Sequence, residues 1–439
     1  MLSRRSRSQS GVVIGLIRRW LSTKTTVMSF GDGSQGALGL EGSPVGFGCD
    51  AYEPTPVPDL PPDVCRIAAG HYHSLAVTSQ GHVWAWGRNN ESQLGRREIS
   101  QRESWSKPQR VEGLDTVMVR DAFASGVASA AVGDDGSLWV WGKSKRGQLG
   151  LGQNITEAVL PARVEALVGH EIVKVSLGWG HTLALTKSGK LFGWGYYADG
   201  RLGKISTLLE ASPLDSVTQK VNSYRNSKSM IESAEKLVVE AIEKEKDMPI
   251  IWEPTLIEEL GNVEVVDVAC GLDHSLVLCR NGTLLSGGSN AYGQLGRVDE
   301  DLGLYPVDVD ATAMSPIVIA SGLGHSLAVG EGKDGSSVLT TWGWNGNHQL
   351  GREGPENVPG VVYGGLADEE PVSVCGGRVH SVAVTKNGEA WAWGCGRNGR
   401  LGLGSSADEA EPALIEHLEG SEVLQAAAGF DHSLVLVSD

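Results

Sequence analysis

Aromatic residues make up only 6% of this 439-residue chain. No apolar run approaches the roughly 18–20 residues that cross a bilayer, which excludes a spanning helix. Cysteines are scarce and scattered: Cys49, Cys65, Cys270, Cys279, Cys375 and Cys395 contain no C-x-x-C pair, and no histidine stands at zinc-ligand spacing from two of them. That argues for reduced thiols in a reducing compartment and against a disulfide framework or zinc module. A nucleophile elbow, a P-loop and metal-ligand spacing are also missing, so no catalytic chemistry is visible. A strict Gly-X-Y register is absent, which excludes collagen. Wholesale disorder is excluded by a 41% hydrophobic content, enough for a sizeable core.

Acid is missing from the N-terminal stretch, where basic residues cluster. The first 30 residues carry Arg4, Arg5, Arg7, Arg18, Arg19 and Lys24 with no Asp or Glu, together with Ser3, Ser6, Ser8, Ser10 and Ser22. An Arg- and Ser-rich, acid-free leader is the composition of an organelle transit peptide. Gly11–Leu21 can form a short amphipathic helix with Arg18 and Arg19 beside Val13, Ile14, Ile17 and Leu21. A secretory signal fits less well, because Arg18-Arg19 cuts its apolar core short after Ile17. The expectation is a mitochondrial presequence over 1–26, cleaved between Trp20 and Met28, and a matrix location, with a plastid as the alternative. Without those 30 residues, 31 basic face 53 acidic residues, so a formal charge of −16 becomes −22.

Glycine is abundant: 59 residues, about 13% against a usual share of roughly 7%. Most of the excess belongs to a repeat. Trp141-Gly142, four residues, then Gly147-Gln148-Leu149-Gly150 is its clearest copy. Six more copies hold Gly31…Gly39, Gly87…Gly95, Gly195…Gly203, Gly288…Gly296, Gly343…Gly351 and Gly394…Gly402. The two glycines are always eight apart, and successive copies start 56, 55, 53, 93, 55 and 51 residues on.

A second motif, Gly-x-x-His-Ser/Thr, alternates with the first. It carries His73, His181, His274, His325, His380 and His432; the copy at Gly126…Ser129 reads as one residue short and has no histidine. Each copy leads into a short alternating strand. A Gly-containing turn and a second strand ending in Trp-Gly then follow in most copies, which is a β-hairpin. Trp84 and Trp86 are two apart and so share a face. The same holds for Trp139 with Trp141, Phe192 with Trp194 and Trp391 with Trp393. Trp86, Trp141, Trp194 and Trp393 are expected to pack between neighbouring sheets. One histidine per repeat at equivalent positions cannot converge on a single metal, so these are expected to be structural. Two G-x-G-x-x-G segments, from Gly31 and Gly394, are ordinary repeat copies without a βαβ context, and no cofactor is expected.

A unit of ~50 residues with short strands buries its faces only against neighbours, and a ring of seven protects the sheet edges. The chain ends in a Gly-x-x-His-Ser strand, Gly429–Val437, without its Trp-Gly partner. It begins, at Val27–Gly31, with a Trp-Gly-type strand without its own. The fold class read from this is all-β: a seven-bladed β-propeller over 27–439, closed by N- and C-terminal strands in one shared blade, and a monomeric ring. Paired Trp-Gly…Gln-Leu-Gly and Gly-x-x-His-Ser motifs, seven times over, resemble the regulator of chromosome condensation (RCC) repeat family of seven-bladed propellers. One segment, Gly178-Trp179-Gly180-His181-Thr182, resembles the motif of the family's UV-B photoreceptor branch, but Gly180 replaces its arginine and one such Trp makes no excitonic cluster.

The interval of 93 contains about 38 extra residues. A helical insertion is expected within 204–250, over Ser229–Lys246, where Ser229 and Glu232 form a capping box. Its apolar stripe includes Met230, Leu237, Val238 and Ile242, candidates for docking a partner. The resemblance, joined to the presequence, implies the plant mitochondrial branch: a non-catalytic interaction scaffold that supports processing and splicing of mitochondrial transcripts and, through them, respiratory complex I. The alternative it implies is guanine-nucleotide exchange on a small GTPase. An acidic body repels nucleic acid. The expected partners are therefore basic RNA-processing proteins or a GTPase, and neither RNA nor a membrane.

Overall fold

The computed structural model describes residues 24–40, 49–97, 105–205, 249–298, 301–309 and 314–438. They form seven four-stranded antiparallel sheets, each packed against the next around a closed ring. Blade 1 runs outward from the axis through Val64–Ala69, His73–Thr78, Val83–Gly87 and Gln109–Arg110. Blades 2 to 6 repeat this order, with inner strands Val119–Ala124, Ile172–Leu177, Val265–Cys270, Met314–Ser321 and Pro371–Gly376. The hairpin between second and third strands closes on glycine: Gly81, at φ +73°, donates its N–H to Thr78 O at 2.9 Å, the left-handed geometry such turns demand.

Blade 7 is built from both ends of the chain. Its order is Ala51–Pro56, Thr25–Gly31, His432–Ser438, Glu422–Ala428. Seven register pairs, from Thr25↔Ser438 to Gly31↔His432, join the termini. The first strand therefore starts at Thr25, two residues inside the segment assigned to the presequence. Thr25 Oγ1 also donates to Val64 O of blade 1 at 2.6 Å.

The core lies in the seams between blades. Trp86 packs with Val27, Val64, Ala76 and Leu436 between blades 7 and 1; Trp141 fills the seam between blades 1 and 2. Trp86, Trp141, Trp194 and Trp393 are wholly buried, and so is Trp342 of blade 5. Trp84, Trp139 and Trp391 lie farther out and are half-buried. Burying one such ring removes ~200 Å² from water, roughly 4–6 kcal/mol as an upper bound.

Among the described residues there is no α-helix, only 3₁₀ turns such as Glu165–Leu167. The expected helix, with Met230, Leu237, Val238 and Ile242, falls outside them. Blade 3 leads into that segment at Ile205 and out of it at Pro249, between its third strand Leu191–Tyr196 and outer strand Ile250–Leu256.

Candidate interaction face

The two motifs meet at one end of the propeller. His73 of blade 1 reaches Ser129 of blade 2, Nε2 to Oγ, at 2.8 Å. Ser129 Oγ donates to Gln93 O at 2.9 Å, and Trp141 Nε1 donates to the same carbonyl at 2.8 Å. A serine has one proton, and here the carbonyl takes it. The imidazole must therefore be the donor, neutral and protonated on Nε2. The histidine–serine contact recurs as His181–Ser275, His274–Ser326, His325–Ser381, His380–Ser433 and His432–Ser74, all at 2.9–3.0 Å, and Ser326, Ser381, Ser433 and Ser74 likewise donate to a loop carbonyl. Each histidine thus ties its blade to the next. Burial drives the ring pKa values down, to about 3 for His73, His274 and His325 and to about 4 for His432. His181 and His380 lie well below the ordinary histidine value for the same reason.

Blade 2 corrects the expectation of a shortened motif. Its copy is full length, with Ser125 at the glycine position and Ala128 at the histidine position: Ser125 N donates to Ala128 O, as Gly70 N does to His73 O. The reason is space. A Cβ on Gly70 would lie 2.4 Å from His73 Cε1. With Ala128 in place of the ring, a side chain fits, and Ser125 Oγ uses the room to donate to Gly178 O of blade 3 at 2.8 Å.

Two further residue pairs escaped the sequence reading. Arg201 and Arg400 stand where four other loops have glutamine and one has Ala37, and both are buried, at 2% and 1% exposure. Arg201 Nη1 pairs with Asp273 at 2.7 Å, and Arg400 Nη1 with Asp431 at 2.6 Å. Both acids precede a motif histidine in the following blade. The signal was present, since the two arginine-bearing loops are each followed by a repeat with Asp before His.

Blade 4 departs from the pattern. Gly287 occupies the tryptophan position, opposite Ser275 in the ladder. In place of an indole, the Glu259 carboxylate accepts from Lys204 N and Leu304 N, at 2.7 and 3.2 Å.

The residue after each motif glycine lines the axial mouth: His71, Trp179, Leu272, Leu323, Arg378 and Phe430, with Gly126 in blade 2. Main-chain bonds link them across blades, as from Leu272 N to Leu323 O at 3.0 Å. His71 stacks on Trp179 at 5.3 Å and meets Phe430 at 4.7 Å, with Tyr72 beside Phe430. Guanidiniums cap the rings: Arg146 over Trp179, Arg88 over Tyr72 and Arg378 over Phe430, the geometry of cation–π attraction. Arg88 is held by Glu91 and Arg378 by Asp431, both at 2.6 Å. Burial pushes the His71 pKa down to about 4, so this ring too is neutral.

Behind the mouth lies an axial cavity of about 410 Å³ lined by the inner strands. In its wall Lys174 pairs with Asp267. Burial pushes the Asp121 carboxyl up, against the opposing pull of Arg66. No group of three or more metal-ligating side chains occurs among the described residues. The opposite face consists of hairpin turns and 3₁₀ turns rich in acid, including Asp134, Glu165, Glu258 and Glu416. Two lysines there are paired, Lys187 with Glu171 and Lys386 with Glu370.

The family model described as the RCC1-like domain matches residues 26–435. The chain belongs to the RCC1-like domain family. It is 30% identical over 359 residues to the RCC1 domain-containing protein RUG3, mitochondrial, of Arabidopsis thaliana, covering 75% of this chain and 79% of that one. Against the human Regulator of chromosome condensation it is 27% identical, covering 94% and 90%. Against the human E3 ubiquitin-protein ligase HERC2 it is 28% identical over 93% of its own length but spans only 8% of that protein. Prp20p of Saccharomyces cerevisiae, described with its binding to Gsp1p and histones, shares the fold with a TM-score of 0.73 at 22% identity, covering 100% of this chain and 96% of Prp20p. Human WBSCR16 does so at 0.71 and 20%, covering 95% and 99%. In this RCC1-like chain the family fold presents a mouth face of aromatic rings and an acidic hairpin face.

Proposed function

We propose that this RCC1-like propeller is a non-catalytic protein scaffold of the mitochondrial matrix that holds basic proteins of transcript processing and splicing. The observation that carries the reading is how its positive charge is spent. Arg88, Arg201, Arg378 and Arg400 on the mouth face are each bound to a carboxylate of the chain itself. Nucleic-acid affinity comes mainly from cations that neutralise phosphates, and in a body of net charge −22 these four are already neutralised. Rings backed by paired arginines, as Tyr72 by Arg88 and Phe430 by Arg378, suit a protein surface instead. The presequence ends before Thr25, which the first strand needs. The relative named RUG3, mitochondrial, supports the location.

Tagged protein captured from mitochondria, with bound proteins and RNA both identified, tests this. Basic processing proteins are expected, released by Trp179→Ala together with Phe430→Ala. Tight, salt-insensitive RNA binding by the purified protein contradicts it. A second reading, nucleotide exchange on a small GTPase, is favoured by the match along 94% of the chain to the Regulator of chromosome condensation. Accelerated nucleotide release from a mitochondrial GTPase establishes that reading.

A further inference from the structure

Blade 5 has a longer hairpin than its neighbours. Its inner and second strands, Met314–Ser321 and His325–Gly332, have eight residues each, where blades 4 and 6 have six. The added pairs Gly330↔Val338 and Glu331↔Ser337 extend it on the hairpin face. Its outer strand is only Gly360–Val361, paired with Thr341 and Thr340. Val362 N adds one bond to Leu339 O at 2.9 Å. Beyond that point no strand among the described residues is laid against the edge at Ser337–Val338. The segment from Tyr363 to Pro371, entering blade 6, forms a facing wall, and Ser337 Oγ donates to Pro371 O across the gap.

The space between is a groove of about 300 Å³. Its floor is apolar, from Val338, Val361 and Leu366, and Tyr363 stands beside it at 66% exposure. Its rim is acidic: Asp368, Glu369 and Glu370 on one wall, Asp334 at the hairpin turn. Two lysines are near, Lys386, bound to Glu370, and Lys333 in the turn. Burial, and then the carboxylate of Glu389 to which it is hydrogen-bonded, push the Glu369 carboxyl up. An added cation would relieve that crowding.

We propose that this groove docks an extended basic segment of a partner protein, added as a strand along Ser337–Val338, with an apolar side chain over Val338 and Leu366 and flanking Lys or Arg on Asp368, Glu369 and Glu370. An open strand edge supplies main-chain hydrogen bonds, and the pocket and rim supply selectivity. Alternating residues of a strand point to opposite sides, so the occupant alternates apolar and basic residues. The proposal rests on the scaffold reading only for the identity of the partner as a basic protein.

The test is a titration of the full-length chain with a fluorescein-labelled acetyl-Lys-Val-Lys-Leu-Lys-Val-Lys amide, followed by anisotropy. Saturable binding that weakens with salt is expected, dropping about tenfold in Glu369→Lys/Glu370→Lys and again in Val338→Arg. Val159→Ala, exposed on the outer strand Glu157–Arg163 of blade 2, leaves it unchanged. The glutamate counterpart of the peptide does not bind. The proposal is overturned by absence of saturable binding, by equal binding of the acidic peptide, or by undiminished affinity in Glu369→Lys/Glu370→Lys, a surface change that leaves the core intact. Capture from mitochondria separates the two readings. Unchanged partners on the double variant remove the groove and leave the scaffold. Capture of no protein removes the scaffold, while the peptide titration still decides the groove.

Discussion

Gly322 has no side chain because His325 occupies its place: an added Cβ would lie 2.0 Å from the ring's Cε1. Blade 2 contains the opposite solution, Ser125 with Ala128. The pair is therefore a unit, and its two halves should not be exchangeable singly. Gly322→Ser is expected to destabilise by about 2–4 kcal/mol through overpacking. His325→Ala should cost about 2–3 kcal/mol through a cavity and a stranded Ser381 bond. The double variant reproduces the blade 2 arrangement, and its loss should fall short of the sum by about 1–2 kcal/mol. Urea denaturation of the four proteins measures this; strict additivity would refute the coupling. The glycine–histidine spacing was legible in the sequence, but its exception was not. Gly126 directly follows Ser125 and imitates a motif glycine, and only the ladder shows which of the two carries the bond to Ala128.

Elements were more legible than contacts between them. Strand–turn–strand patterning and a regular interval give seven sheets, and the unmatched motifs at the two ends give the shared blade. Removing Gly429–Asp439 takes away the strand that pairs with Thr25–Gly31 on one side and Glu422–Ala428 on the other. Blade 7 then has no centre, and the truncated chain should lose its sharp, cooperative thermal transition. A melt as steep as that of the intact protein would contradict the clasp. What the sequence left hidden depends on pairing between consecutive blades. Arg201 and Asp273 are 72 residues apart, and nothing periodic within one repeat links them. The mouth was hidden for another reason. His71, Trp179 and Phe430 occupy a variable position beside the motif, and they form a group only because the ring brings that position to the axis. The extra length of the blade 5 hairpin could have been counted, yet the groove beside it depends on the wall supplied by blade 6.

At the scale of the whole molecule, the interblade histidines make the ring sensitive to acid. Folded, His73, His274 and His325 titrate at about 3 and His432 at about 4, against an ordinary value of 6.5. Below that ordinary value the unfolded chain binds protons that the folded chain refuses, so stability falls with pH and is unaffected above it. Each ring contributes a slope of about 1.4 kcal/mol per pH unit in that window. Stability measured from about pH 7 to about pH 5 should therefore decline steeply, and His325→Ala should make the decline shallower by one proton. An unchanged slope would contradict the neutral buried ring. The shared blade has a last consequence, in the order of events. Among the strands of the propeller, Thr25–Gly31 is made first and the one it pairs with, His432–Ser438, is made last. Until that last strand arrives, an open strand edge stands on the growing ring, exposed to every other unpaired edge nearby. Closure therefore waits on every blade: the ring shuts only once its last strand has been made.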